Sequence, residues 1–128
     1  MGTATILAVD DEAHILQVLS LKLRNAGFHV LTASDAEEAL ELAATNSVDL
    51  LITDYHMPGM SGLELSAKLH QEPGRQRLPV ILLTAHGMTI EPAILGGSGI
   101  SACLTKPFSP REVLANVMNL TQAAQKAA

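Results

Sequence analysis

Asp54 closes an apolar run, Leu50-Leu51-Ile52-Thr53, and a turn-forming stretch, Tyr55-His56-Met57-Pro58-Gly59-Met60-Ser61-Gly62, follows at once. An apolar run bounded by turn signals suits a strand buried on both faces, and a charge there belongs at the strand end, where water or an ion reaches it. Three other apolar runs end in the same manner: Thr5 to Val9 in Asp10-Asp11-Glu12, Pro79 to Leu83 in Thr84, and Ile100 to Leu104 in Thr105-Lys106-Pro107-Phe108. A carboxylate can act as a nucleophile and become an acyl phosphate. A threonine hydroxyl can donate to one phosphoryl oxygen while a lysine holds another, which spreads the transferred charge. Asp54, Thr84 and Lys106 are therefore candidates for phosphoryl chemistry.

The elements that must bring these groups together follow from local pattern. Strands are predicted at Thr5–Val9, Phe28–Thr32, Val48–Thr53, Pro79–Leu83 and Ile100–Leu104. Helices lie between them: Ile15, Leu16, Leu19 and Leu23 recur at helical spacing up to a left-handed stop at Gly27, and Ala39, Leu40 and Ala43 form a second stripe. Leu65 and Leu69 belong to a third helix, and Val113, Leu114, Val117 and Leu120 to the last. Ser34-Asp35-Ala36-Glu37, Ser61-Gly62-Leu63-Glu64 and Ser109-Pro110-Arg111-Glu112 read as capping boxes at three helix starts, the last with proline at the first helical position. Met88 to Leu95 carries a weaker helical pattern, interrupted by Pro92 and followed by Gly96-Gly97-Ser98-Gly99, so a short helix is expected there.

Strands alternating with helices imply right-handed crossovers and a parallel sheet covered on both faces. The expected class is α/β, and the flavodoxin-like type of that class is a doubly wound, five-stranded sheet of order 2-1-3-4-5 with five helices on its two faces. All the polar strand ends then share one edge, and ligands of such sheets bind beyond the carboxyl ends where the strand order reverses. In that order Asp10 and Asp11 flank the same crevice as Asp54. Three carboxylates so placed repel one another and call for a raised pKa, a cation or a paired ammonium. Lys106 neutralises one charge. An all-oxygen set open to water suits Mg2+, which takes one or two carboxylates and a phosphoryl oxygen.

Composition excludes other classes. The 128 residues, 48% of them hydrophobic, suit one domain, with residues 122–128 as a frayed tail or linker stub. Phe28, Tyr55 and Phe108 are the only aromatics and the net charge is −5, which argues against base stacking and against a phosphate-backbone partner. The one cysteine excludes an intrachain disulfide framework and fits a reducing compartment. Nothing at the start reads as a signal peptide and no run is long enough to span a bilayer, so a cytoplasmic location without membrane insertion is expected.

The sequence resembles the receiver domain of bacterial two-component response regulators from about Thr5 to Leu120. The carriers are Val9-Asp10-Asp11-Glu12, Asp54 with Met57-Pro58-Gly59 and Ser61-Gly62, Thr84-Ala85, and Leu104-Thr105-Lys106-Pro107-Phe108. Thirty residues separate Asp54 from Thr84, and twenty-two separate Thr84 from Lys106. The resemblance implies Asp54 as phosphoacceptor, Asp11 as direct Mg2+ ligand with Asp10 nearby, and the main-chain carbonyl of His56 as a further ligand. It implies phosphoryl recognition by Lys106 and Thr84, and a cis bond before Pro107. The function it implies is a phosphorylation-activated switch rather than an enzyme. Its phosphodonor would be a sensor histidine kinase or a histidine phosphotransfer protein. Its output would be a downstream domain or protein, with a homodimer as a further partner and no direct contact of this domain with nucleic acid.

The chain departs from the family at Cys103, three positions before the lysine, where an aromatic residue usually stands, and at Ser101 and Ala102, where acids are frequent. Output is accordingly expected to be read differently, or the Met88–Leu95 helix to be partly disordered before activation. Cys103 itself reads as a buried core thiol. His56 and His86 flank the proposed site, and the resemblance implies that these positions influence the lifetime of the phosphoryl group; without partners at ligand spacing they argue poorly for a transition-metal centre. His14, His29 and His70 read as surface or helix-face residues. Three other readings compete. A Mg2+-dependent aspartyl-phosphate phosphohydrolase wants a second carboxylate two residues after its nucleophile, where His56 stands. A flavin or nucleotide binder wants a glycine-rich loop after the first strand, where Asp10-Asp11 would repel phosphate. A phosphorylation-independent interaction module would have no use for the full set of site residues.

Overall fold

The computed structural model describes residues 3–85 and 99–127. Five parallel strands run β1 (Thr5–Val9), β2 (His29–Ala33), β3 (Leu50–Asp54), β4 (Val80–Thr84) and β5 (Ala102–Thr105), with α1 (Ala13–Asn25), α2 (Ala36–Thr45), α3 (Gly62–His70) and α4 (Pro110–Ala127) between and after them. The sheet order is β2-β1-β3-β4-β5, the order expected of the flavodoxin-like fold. The short helix expected at Met88–Leu95, its glycine-rich end and His86 lie outside the described residues, apart from Gly99. Four helices are described, and the last is helical through Ala127, so residues 122–127 continue it.

The side-chain period of two sorts the strand residues into two cores. Leu7, Val9, Leu51 and Val80 pack with Ala36, Ala39, Ala43, Leu65 and Leu69 on the face covered by α2 and α3. Ile6, Val30, Leu50, Ile52, Ile81 and Leu83 pack with Leu19, Leu23, Val113 and Val117 on the face covered by α1 and α4. β3 and β4 are buried along their whole length, which is what a sheet covered on both faces demands of its central strands. Aliphatic side chains fill both layers.

The caps follow the sequence with one shift of register. Ser61 and Glu64 form the reciprocal capping box at α3. At α2 the N-cap is Asp35 rather than Ser34: Asp35 accepts from the Glu38 amide, while Glu38 turns back to accept from the Ser34 amide and hydroxyl. The box is thus displaced by one residue, because Asp35 is itself a good cap and Glu38, not Glu37, reaches back. Before α4, Ser109 Oγ accepts from the Arg111 amide at 3.2 Å. Gly27 has φ +100° and ends α1 in the left-handed conformation its position predicts.

Cys103 is exposed, against the expectation of a core thiol. It sits on β5 at the edge of the sheet, opposite Leu82 in register, and the alternation of that strand turns Ala102 and Leu104 rather than Cys103 into the α1/α4 core. Among the described residues no helix is long and apolar enough to cross a membrane.

Candidate functional site

The parallel register of β1 and β3 builds the site. Val9 lies beside Thr53, so the next residue on each strand, Asp10 and Asp54, falls on the same sheet face one step further on. On the other side of β3, Asp54 pairs with Leu83, and Thr84 pairs with Thr105, the residue before Lys106. Three strands thus deliver two acids and a base to one corner. Lys106 Nζ stands 3.0 Å from Asp10 Oδ2, 3.4 Å from Asp54 Oδ1 and 3.4 Å from Glu12 Oε1. Of these contacts, the one to Glu12 has hydrogen-bond geometry. Asp10 is fully buried; its Oδ1 accepts from the Glu12 amide at 2.9 Å, whereas its Oδ2 has the charge of Lys106 beside it but, among the described residues, no aligned donor.

Electrostatics follow from that depth. Burial, and next the neighbouring charge of Asp10, push the Asp54 carboxyl up to about 6, against the opposing pull of Lys106 and with a further push from Asp11. Burial also raises Asp10, and its bond to the Glu12 amide and the nearby charge of Lys106 offset this only in part. Burial disfavours the ammonium of Lys106, but Asp10, Asp54 and Glu12 outweigh it and the pKa is raised. The pocket is a crowded, under-neutralised acid cluster with one base in its middle.

That is the setting for a hard cation. Carboxylate oxygens of Asp10, Asp11 and Glu12 all lie within 4.8 Å of one another. The donors are oxygens, Asp11 and Glu12 are exposed to water, and Asp10 Oδ2 is a buried acceptor lacking an aligned donor among the described residues. The residues present fit a divalent ion of the Mg2+ type.

The remaining candidates are placed unequally. Thr84 is buried at the end of β4, and its hydroxyl donates to the Leu104 carbonyl at 3.5 Å. The His56 side chain is exposed, its ring edge-on to Tyr55 at 5.1 Å, which leaves its main chain as what it can offer the acids. Lys106–Pro107 is a cis peptide, as the resemblance implies. Gly62, the first residue of α3, packs directly on the Asp54 main chain: a Cβ there would collide with the Asp54 carbonyl oxygen and meet the Leu82 side chain at 3.1 Å. Thr53 Oγ1 donates to that same carbonyl at 3.1 Å. Glu12 is the site residue that sequence reasoning left without a role; its only signal was a third acid in succession at the end of β1. His14 and His29 are exposed as expected, but His70 is half-buried, with Nε2 2.9 Å from the Leu78 carbonyl.

Residues 6–118 match the response regulator receiver domain family. The alkaline phosphatase synthesis transcriptional regulatory protein PhoP of Bacillus subtilis is 38% identical over 123 residues, which cover 96% of this chain and 50% of that protein. The phosphate regulon transcriptional regulatory protein PhoB of Pseudomonas aeruginosa is 37% identical over 88% of this chain and 49% of its own length. The chain therefore spans about half the length of these relatives. Among solved structures, the chemotaxis response regulator CheY4 of Vibrio cholerae superposes with a TM-score of 0.85 at 32% identity, covering 93% of this chain and 99% of its own. A CheY-like response regulator receiver domain protein from Methanospirillum hungatei reaches a TM-score of 0.90 at 27% identity, covering 99% of this chain and 100% of its own.

Proposed function

This chain belongs to the response regulator receiver domain family, and from that premise we propose that Asp54 is the residue on which it accepts a phosphoryl group. Receiver domains of two-component systems are phosphoacceptor signalling switches rather than classical enzymes. The observation that carries the assignment to Asp54 is its contact with Lys106, at a strand end shared with Asp10 and with the acid cluster beyond it.

The reaction is an in-line displacement. An Asp54 carboxylate oxygen attacks phosphorus, a P–O bond forms, and the P–N bond of a phosphohistidine donor breaks, with the electron pair leaving on the imidazole, which takes up a proton. Lys106 meets the negative charge that gathers on the phosphoryl oxygens. Its pairing with Asp10 keeps it fixed at the pocket before the donor arrives. Thr84, one strand over, supplies a hydroxyl that must leave the Leu104 carbonyl to reach a phosphoryl oxygen. Asp11, Asp54 and the His56 main-chain carbonyl would hold Mg2+, with Asp10 close by or bound through water; the ion supplies charge neutralisation between the acids and the phosphoryl oxygens. The donor is a sensor histidine kinase or histidine phosphotransfer protein in the cytoplasm. The output is an attached or separate domain or protein, or a second copy of this chain, that reads the changed face. Residues 1–128 make up one receiver domain. A hydrolase is not favoured, since the residue two beyond Asp54 is His56, whose ring is turned to solvent.

Incubation with Mg2+ and a small acyl phosphate or phosphoramidate, followed by intact mass, tests this. One phosphoryl adduct is expected on the wild type and none on Asp54→Asn. An adduct that persists on Asp54→Asn, or none on the wild type, overturns the reading.

A further inference from the structure

We propose that Glu12 is a positioning residue that competes with the phosphoryl group for Lys106 and so sets how tightly the activated state is held. The inference rests on Asp54 being the phosphoacceptor. Three observations carry it. Glu12 occupies the N-cap position of α1, yet its side chain makes no cap bond, whereas Asp35 and Ser61 cap α2 and α3 with theirs. The carboxylate is instead directed to Lys106, with Oε1 accepting from Nζ at 3.4 Å. An ammonium has three donors, and three carboxylates stand within 3.4 Å of this one, with Glu12 the one that accepts from it in hydrogen-bond geometry among the described residues.

A phosphoryl group on Asp54 adds anionic oxygens that need the same ammonium, so one resting partner must yield. Asp10 is fully buried and its other oxygen is fixed by the Glu12 amide, so releasing it would strand a desolvated charge. The Glu12 side chain is 50% exposed, and water can take its carboxylate at small cost. The Glu12 main chain need not move, because its amide stays on Asp10 while the side chain lets go. Glu12 is therefore the partner that gives up Lys106 when the phosphoryl group arrives, and its hold is the toll on that step.

The test uses beryllofluoride, which mimics a carboxylate-bound phosphoryl group, titrated against the whole chain at saturating Mg2+ and followed by fluorine NMR. Glu12→Gln is expected to bind it about two- to fivefold more tightly than the wild type, the span that a half-exposed ion pair allows. Glu12→Asp keeps the charge but falls one methylene short of Lys106, so it is expected to tighten binding as well. If Glu12→Asp behaves like the wild type while Glu12→Gln tightens, simple charge repulsion replaces the proposal. Equal or weaker binding by Glu12→Gln overturns it, the weaker result marking Glu12 as a support for the metal or the phosphoryl group. If the wild type and both variants bind no beryllofluoride, the Asp54 reading fails and this inference with it.

Discussion

Asp10 raises the pKa of Asp54 across the β1–β3 pair, and burial is the larger reason that Asp54 stands at about 6 instead of 3.8. In the metal-free protein both states hold the proton below pH 3.8. Between 3.8 and about 6 the unfolded chain releases it while the folded chain keeps it, so stability falls as pH rises through that window. Above it the cost is complete, at about 3 kcal/mol. Asp54→Asn is therefore expected to be more stable than the wild type in chelator near neutral pH, with the advantage vanishing at about pH 4. Urea unfolding at the two pH values measures it; an advantage that does not depend on pH would contradict the account.

Mg2+ should act in the opposite sense, because an ion that binds only the folded state adds about 2.7 kcal/mol at a hundred times its dissociation constant. The thermal midpoint of the wild type is expected to rise with Mg2+, and that of Asp54→Asn to rise less. Equal shifts would remove Asp54 from the ligand set.

Lys106→Met keeps the stem and removes the charge, leaving Asp10 buried beside Asp54 without a cation. Breaking a buried pair on one side costs about 3 kcal/mol or more. A loss of that order is expected in chelator, together with loss of the phosphoryl adduct. A variant as stable as the wild type in urea would show that the acids are already neutral there.

Gly62→Ala tests the floor of the site. The added methyl meets the Asp54 carbonyl oxygen, which is main chain and cannot rotate away, so about 1–3 kcal/mol should be lost. Gly59→Ala meets no atom within 4 Å and should lose only the cost of a left-handed residue at φ +80°, about 1–2 kcal/mol. Guanidinium midpoints rank them. The sharper expectation is that Gly62→Ala also slows phosphorylation, because it displaces Asp54, whereas Gly59→Ala leaves the Asp54 backbone in place.

Arg75 fastens the far side of the sheet. Its guanidinium donates to the Ala43 carbonyl at 2.6 Å and the Asn46 carbonyl at 3.0 Å and pairs with Glu72, so it caps α2, whose last turn has no basic residue of its own. Arg75→Ala is expected to cost about 1–2 kcal/mol in urea unfolding while the phosphorylation rate is unchanged. A change in rate without loss of stability would contradict a purely structural role.

The sequence alone determined the described elements and named the candidate residues of the site. Strand and helix are legible because their periods of two and 3.6 are local, and strand-end acids, the Ser61 box and Gly27 declare themselves within a few residues. Alternation of strands and helices gave the parallel α/β class, whereas the order 2-1-3-4-5, and with it the meeting of Asp10 with Asp54, came from the flavodoxin-like fold type and not from local pattern. Local pattern fails where neighbours choose between near-equivalents: Asp35 rather than Ser34 caps α2, and Cys103 falls on the exposed side of an edge strand.

Tertiary structure alone decided what each site residue does at rest. The Val9–Thr53 and Thr84–Thr105 registers set the depth at which Asp10, Asp54 and Lys106 end, and depth fixes which acid is buried and which is spared for water. Glu12 is the clearest case. One acid among three in sequence, it becomes a partner of Lys106, ninety-four residues away, only because β1 and β5 bring their ends to the same edge of the sheet. Charge is written residue by residue, but solvation and pairing belong to the packed chain.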